Sequence, residues 1–313
     1  MKDKEFTRYL EGKNLAKSTQ SAYLGNVNLF LAWYKTEPIN CQKKDVLNYL
    51  AHLKNNRNQE NITRNNHLIA LNHYFTFLVQ NGEAEQNPTA LLKIRGTQKK
   101  KLYRTYTAEE LQTLYDSYYH VFIRTFDDSH IPKNQRQQSF LSRQRNFIML
   151  GLLIYQGLHT NELQRINLED IDPNRATVKI GGGRKSSERK IPLNASQIGS
   201  LISYINAIRP LFFTYCAETE QLFFALPESG KLRTSTQSLM HTVKPITKQV
   251  KSVDKSFISF KQIRASVITH WIKTHGLRKA QYLAGHRYIH TTETYLPNDL
   301  ESLTEDITKF NPF

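Results

Sequence analysis

The segment "AGHRYIHTTETYL", residues 284–296, combines a glycine–histidine pair with a tyrosine nine residues after that histidine. The imidazole of His286 and the phenol of Tyr295 can both take part in proton transfer or nucleophilic attack. Considered alone, a tyrosine in such a segment is more often a core aromatic. Its interpretation therefore depends on whether the rest of the chain supplies the cations that a tyrosine nucleophile needs.

A tyrosine hydroxyl has a pKa of about 10, so it is mostly protonated at neutral pH and must lose its proton as it attacks. If the electrophile is a phosphodiester, the transition state carries extra negative charge on its non-bridging oxygens. Fixed arginine and histidine side chains stabilise that charge without a metal ion if enough of them converge. Such residues should therefore precede the tyrosine.

The expected cations occur in order along the chain. The stretch "SFKQIRASVITHWI", residues 259–272, predicts an apolar helix with Lys261 and Arg264 one turn apart on one face at its start. The glycine-rich stretch "ATVKIGGGRKSSERKIPLN", residues 176–194, alternates, turns and alternates again, which predicts a β-hairpin or small sheet that carries Arg184 and Lys185. Together with His286 these residues form a set that favours Tyr295 as a nucleophile.

Composition limits the class of protein. The chain has 313 residues, which suggests two domains, and 43 Lys and Arg against 27 Asp and Glu, a formal charge of +16. Such an excess favours a polyanionic partner, and nucleic acid is preferred over a membrane surface because no basic amphipathic anchor stands out at either end. The longest apolar run, from Phe147, is too short to cross a membrane, and the N-terminus lacks a signal core. We therefore expect a cytoplasmic, nucleoid-associated protein with no membrane partner.

Residues 1–95 predict a helical unit. Three stretches beginning near Thr19, Cys41 and Ile62 each place apolar residues on one helical face, and Gly82 is a stop signal. The many Tyr and Phe residues there are interpreted as core. The basic stretch at 96–105 lacks apolar periodicity and predicts a linker. The predicted inward residues are Tyr23, Val27, Phe30, Leu31, Tyr34, Val46, Leu50, Leu53, Leu68, Leu71, Phe75 and Leu78.

The second unit is predicted at 106–298. Thr107 and Glu110 have the spacing of a capping box at a helix start. The polar stretch 127–139 predicts a surface loop, and the apolar stretch after it predicts a buried helix that ends at Gly157. A final helix at 299–313 has one apolar side, formed by Leu300, Leu303, Ile307 and Phe310.

Over nearly its whole length the chain resembles the tyrosine recombinases (phage integrase, Xer-like). The resemblance rests on "STQSAYLGNVNLFLAWY" and the third helix with its Asn87-Pro88 ending, on "RQRNFIMLGLLIYQGLHTNELQRINLEDID", and on the motifs that contain Arg264, His286 and Tyr295. It implies a mainly α fold with a small β-sheet or hairpin, arranged as a two-domain C-shaped clamp on DNA. Residues 1–95 would be a SAM-like core-binding domain, 106–298 the catalytic domain, and 299–313 a helix exchanged between protomers.

The resemblance also implies roles for single residues. Tyr295 matches the nucleophile that forms a 3′-phosphotyrosyl intermediate, Lys261 and Arg264 match the H-x-x-R motif, and His286 matches the G-H motif. The hairpin lysine that acts as general acid falls on or beside Lys185, and Arg184 competes for that register. No cofactor is implied, and zinc binding by His286 and His290 is disfavoured because no further ligand is suitably spaced.

The first arginine of the family is missing. The motif that normally reads G-L-R, with Glu three residues on, reads "GLHTNE" here, so His159 occupies the arginine position and Glu162 is expected to orient the basic residues or cap locally. We expect Arg184 to substitute, because its glycine-rich hairpin is flexible. Arg165 is a weaker candidate, since on a continuous helix six residues turn it roughly 240° away from His159.

The implied function is site-specific recombination or integration of a bacterial or mobile-element kind, by cleavage and rejoining of double-stranded DNA. A dimer would bind one site and a homotetramer would form the synapse. Two alternatives stay open at this point: a DNA-binding regulator whose catalysis is weakened or lost through His159, and a type IB-like topoisomerase.

Overall fold

A computed structural model describes residues 3–96, 103–183, 186–226 and 239–296. Arg184, Lys185 and the predicted helix at 299–313 lie outside the described residues. The chain divides into two compact units, Met1–Lys101 and Leu102–Phe313, and the division falls inside the predicted linker.

Over residues 3–96 the first unit forms four α-helices. They are α1 (Asp3–Gly12), α2 (Lys17–Tyr34), α3 (Lys43–Asn55) and α4 (Asn61–Gln80), with a 3₁₀ turn at Pro38–Asn40. The three predicted helices are confirmed, and Gly82 follows α4 with a φ of +71°. Helix α1 was not predicted. Its Phe6 and Leu10, four residues apart, are fully buried in the core of the unit.

Aromatic residues form much of this first core, as predicted. Phe30 of α2 packs edge-on against Tyr49 of α3 and Phe75 of α4, with ring centroids 5.1 and 6.0 Å apart. The hydroxyl of Tyr49 is hydrogen-bonded to Nδ1 of the buried His67 at 3.2 Å. These rings are therefore committed to packing between helices and are not available to stack on bases.

The second unit is also mainly helical and contains the only strands among the described residues. The helices are α5 (Ala108–Tyr119), α6 (Lys133–Tyr155), α7 (Ala195–Ser203), α8 (Met240–Val253), α9 (Phe260–Ala284) and α10 (Ile289–Glu293). The strands β1 (Ile171–Asp172), β2 (Thr177–Ile180) and β3 (Arg189–Pro192) form an antiparallel sheet in the order β1-β2-β3. The mainly α fold with a small sheet is thus confirmed.

The predicted capping box at the start of α5 is present. The Thr107 hydroxyl accepts a hydrogen bond from the Glu110 backbone N–H at 3.2 Å, and the Glu110 carboxylate accepts one from the Thr107 N–H at 2.9 Å. The surface loop predicted at 127–139 is only half right. Helix α6 begins at Lys133, directly after Pro132, because the polar residues that follow are good helix formers on a solvated face.

The end of α6 positions the site. Gly157 has a φ of +54° and lies so close to α9 that an added Cβ would be 2.9 Å from Cγ1 of Val267. After Tyr155 the chain leaves the helix, and it next forms a 3₁₀ turn at Leu163–Arg165. The continuous helix assumed for Arg165 is therefore wrong, and the 240° rotation about a helix axis that separated Arg165 from His159 does not exist.

Candidate active site

Arg264 lies at the centre of the site, on the first turns of α9. Its guanidinium donates hydrogen bonds to the carbonyl of Gly157 at 2.6 Å and to the carbonyl of Ala284 at 2.7 Å. Burial lowers the pKa of Arg264, and the nearby Glu162 carboxylate and Tyr295 hydroxyl only partly offset that effect. The side chain is 11% exposed, so one edge of a nearly fixed cation remains accessible.

Glu162 connects the basic residues, as predicted. Its carboxylate accepts two hydrogen bonds from Arg189, at 2.8 and 3.0 Å, and one from the His159 backbone N–H at 2.8 Å. It also lies 3.5 Å from Arg264. Burial by itself would raise the pKa of Glu162, but these donors and charges outweigh it, and the pKa is lowered.

Arg189 of β3 was missed by the sequence analysis. Its side chain is 0% exposed, and besides Glu162 it donates to the carbonyl of Leu283 at 2.8 Å. It packs against Gly285, where an added Cβ would overlap the guanidinium, and Gly285 has a φ of +69°. The available signal was strand alternation, which places Arg189 on the same inward face as Ile191 and Leu193.

The structure brings His286 and Tyr295 together. Their rings stack nearly parallel, with centroids 5.6 Å apart and an interplanar angle of 13°. Nε2 of His286 lies 3.4 Å from Arg264, and Nδ1 lies 3.0 Å from the hydroxyl of Thr292. Burial and the positive charges of Arg264 and Arg189 lower the pKa of His286 to about 4, so the ring is neutral at pH 7.

His159 lies near Arg264 and Glu162 but faces solvent. Its Nδ1 accepts a hydrogen bond from the Asn161 N–H at 3.2 Å. Partial desolvation and the charge of Arg264 lower the pKa of His159, with smaller contributions from Lys261 and Arg165. A neutral imidazole therefore lies among three cations, at the position where the family's arginine is missing.

The loop between β2 and β3 is tied to the same region on both sides of its undescribed residues. Gly183 and Ser186 exchange backbone hydrogen bonds, at 2.8 and 3.3 Å, and the Ser187 N–H donates to the carbonyl of Gly285 at 2.9 Å. On the other side Arg165 donates to the carbonyl of Gly182 at 2.8 Å. The residues that flank Arg184 and Lys185 are thus held beside the Gly285–His286 segment, although the glycines had predicted flexibility.

The structure separates His290 from the other candidates. Its side chain is 86% exposed and lies 3.5 Å from Glu293, whereas His286 is turned toward Thr292 and Arg264. Across the described ranges, no three His, Cys, Asp or Glu side chains are grouped so as to hold a metal ion. Nor does any helix in the described part of the chain have the length and apolar character needed to cross a membrane.

Comparison with protein families gives two matches. Residues 129–301 match the model described as "Phage integrase family", and residues 4–82 match the one described as "Phage integrase, N-terminal SAM-like domain". The second unit therefore contains the larger match and the whole candidate site.

Comparison with individual proteins gives relatives of similar length. The chain is 26% identical over 319 residues to "Tyrosine recombinase XerC" of Natranaerobius thermophilus, covering 98% of this chain and 97% of that protein. It is 24% identical to "TnP I resolvase" of Bacillus thuringiensis, covering 95% and 96%.

Solved structures share the fold. The XerH site-specific recombinase bound to palindromic difH substrate, a post-cleavage complex, has a TM-score of 0.66 at 19% identity and covers 96% of this chain and 82% of that one. A lambda integrase (75–356) dimer bound to a COC′ core site has a TM-score of 0.62 at 13% identity, covering 94% and 93%.

Proposed function

Because the chain belongs to the phage integrase family and is a tyrosine-type site-specific recombinase, we propose that Tyr295 is the nucleophile with which it cleaves and rejoins DNA. The observation that carries this proposal is the placement of Tyr295 against His286 and Arg264. A phenol that lies close to a nearly fixed guanidinium is next to the cation that would bind the phosphate under attack.

The chemistry follows from these groups. The Tyr295 oxygen attacks the phosphorus and loses its proton, the bond to the 5′ oxygen breaks, and that oxygen takes up a proton. The product is a 3′-phosphotyrosyl intermediate, and attack by a 5′ hydroxyl reverses the steps and rejoins the strand. Arg264 and Lys261 neutralise the extra charge of the transition state, and His286 lies beside them. We assign protonation of the leaving oxygen to Lys185 or Arg184.

His159 weakens the site without removing it. A neutral imidazole offers one donor and no charge, whereas an arginine offers a charged fork. Loss of one such donor typically costs about 10²–10³ in rate. We therefore propose an active but slow enzyme, in which Arg184 carries part of the missing charge and Glu162 keeps Arg264 in place.

We further propose duplex DNA as the partner, bound by both units, with a dimer on each site and a homotetramer in the synapse. The +16 charge supports a polyanionic partner, and the relatives reported above are recombinases and a resolvase. Structures of that fold include recombinases on DNA and a lambda integrase tetramer on a Holliday junction. We place the protein in the cytoplasm, at the nucleoid.

A suicide DNA substrate tests the proposal, because a nick beside the cleavage point lets the released fragment diffuse away and traps the covalent adduct. The wild-type protein should form an adduct on its site, and Tyr295→Phe should form none while binding the same DNA. Tyr288→Phe is the matched control, since Tyr288 is an exposed tyrosine in the same segment. An adduct with Tyr295→Phe would remove Tyr295 as nucleophile.

Adduct trapping together with a measurement of synapsis distinguishes the recombinase from two alternatives. A regulator without catalysis would bind DNA and trap no adduct. A type IB-like topoisomerase would trap an adduct but would not pair two duplexes. The named relatives favour recombination over both, and paired-site synapsis measured with the wild-type protein would distinguish it from topoisomerase activity.

A further inference from the structure

Thr292 is a buried polar residue that the proposed chemistry does not use. It lies in the short helix α10, its relative exposure is 0%, and its hydroxyl is 3.0 Å from Nδ1 of His286. Among the described residues, that hydroxyl has no other hydrogen-bond partner. A buried hydroxyl is normally hydrogen-bonded, so the contact with His286 is the one that satisfies it.

The two nitrogens of His286 have different partners, which decides the position of the ring proton. Arginine can only donate hydrogen bonds, so Nε2, 3.4 Å from the Arg264 guanidinium, accepts. The ring is neutral, so its one hydrogen is then on Nδ1, and Nδ1 donates to the Thr292 hydroxyl. A threonine hydroxyl can accept this bond, whereas a valine of the same shape cannot.

We propose that Thr292 is a positioning residue that fixes the tautomer and orientation of His286, and that through His286 it orients the Arg264 guanidinium. Arg264 is then held at three points, by two carbonyls and by Nε2 of His286. The stacking of His286 on Tyr295 extends the same arrangement to the nucleophile. The expected effect on cleavage rests on the proposed function, whereas the tautomer of His286 does not depend on it.

The charged groups around His286 agree with an acceptor at Nε2. Arg264 of α9 and Arg189 of β3 lie near the ring, and Glu162 is the nearby acid. Two cations facing a ring that is already neutral favour a lone pair, and not an N–H, on the side that points to Arg264. The protonated nitrogen, Nδ1, is therefore on the opposite edge of the ring, and it donates a hydrogen bond to the Thr292 hydroxyl.

The first experiment uses the free protein and does not depend on activity. Nitrogen NMR of ¹⁵N-histidine-labelled protein at pH 7 distinguishes the two neutral tautomers, with His286 assigned by its absence in His286→Asn. We expect the Nδ1–H form in the wild type and in Thr292→Ser, and a shift toward the Nε2–H form in Thr292→Val. Identical His286 signals in the wild type and Thr292→Val would overturn the proposal.

The second experiment measures single-turnover cleavage. Thr292→Val should slow cleavage about tenfold with little change in DNA affinity, since one neutral hydrogen bond is typically worth up to about that factor, and Thr292→Ser should restore most of the rate. In a His286→Ala background, Thr292→Val should cause no further loss of cleavage rate. If Thr292 only stabilised the fold, Thr292→Val would slow cleavage by the same factor in both backgrounds. Equal losses in both backgrounds would overturn the proposal, and a wild type without any adduct would overturn the proposed function instead.

Discussion

The buried pair of Glu162 and Arg189 allows a quantitative prediction. The change Glu162→Gln keeps the size of the side chain but removes its charge, and it leaves the Arg189 guanidinium, 0% exposed, without a counterion. Removing one partner of a buried ion pair costs about 3–5 kcal/mol of the free energy of unfolding. For a unit of this size, that corresponds to a fall in melting temperature of roughly 6–20 °C.

The contacts of Glu162 indicate that the loss in free energy of unfolding is about 3–5 kcal/mol and not less. Glu162 accepts two hydrogen bonds from Arg189 and one from the His159 N–H, and it lies 3.5 Å from Arg264. A glutamine can keep one acceptor, but its amide N–H groups would then face a guanidinium. Thermal and urea denaturation of the wild type and Glu162→Gln at pH 7 measure the difference directly.

A matched control is available one residue before Arg189. Glu188 forms an ion pair with Lys179 at 3.4 Å, and the two side chains are 61% and 43% exposed. Glu188→Gln is the same acid-to-amide change, but an exposed pair contributes only about 0.2–1 kcal/mol. A cost below about 1 kcal/mol for Glu162→Gln, similar to that of the control, would refute the reasoning.

Replacing both partners separates stability from activity. In Glu162→Leu with Arg189→Met, neither buried charge remains, so much of the lost stability should return. Cleavage should not return, because Arg264 loses the carboxylate near it and the segment at Gly285 loses its packing partner. Recovery of both properties would show that the pair only stabilises the fold.

The pH dependence of stability gives a further check on Glu162. Its pKa is lowered in the folded protein, so the unfolded chain binds the proton first as pH falls below the ordinary value of 4.5. The stability that the pair contributes is therefore complete above that pH and is lost as pH falls through the folded pKa. Glu162→Gln should lack this part of the acid destabilisation.

Three further predictions concern other parts of the site. The pKa of His286 is about 4 in the folded protein against an ordinary 6.5, so the free energy of unfolding of the wild type should fall as pH is lowered from 6.5 to 4. Urea denaturation should show a smaller fall for His286→Asn. An equal pH dependence of the two free energies of unfolding would contradict this. Gly183→Ala puts a methyl 2.6 Å from the Arg165 guanidinium and should slow single-turnover cleavage about tenfold or more. Gly181→Ala is the control and should not slow cleavage, because its added methyl has nothing within 4 Å. Equal rates for the two variants would exclude a role for the contact between Arg165 and the loop. His159→Arg should be neutral or mildly activating in the same assay, and a large loss of cleavage would mean that the site is built around the imidazole.

Several features could be predicted from the sequence because neighbouring residues encode them. The helical faces of α2, α3 and α4, the capping box at Thr107 and the alternation of β2 and β3 are local patterns with fixed periods. The order of Arg264, His286 and Tyr295 also indicated one site, because the residues belong to recognisable motifs. Half of the loop predicted at 127–139 was wrong, since polar residues in an exposed helix show no apolar period.

Only the tertiary structure decided how these groups are held. Arg189 and Glu162 are 27 residues apart, and Arg189 meets Leu283 94 residues further on, so no local pattern reveals that the arginine lies buried beneath Gly285. The turn at Leu163–Arg165 likewise carries Arg165 to the carbonyl of Gly182, 17 residues further on. A helical or strand period specifies which side of an element is buried. Which partner a buried charge or hydroxyl finds there depends on contacts between distant segments, and those exist only once the elements pack.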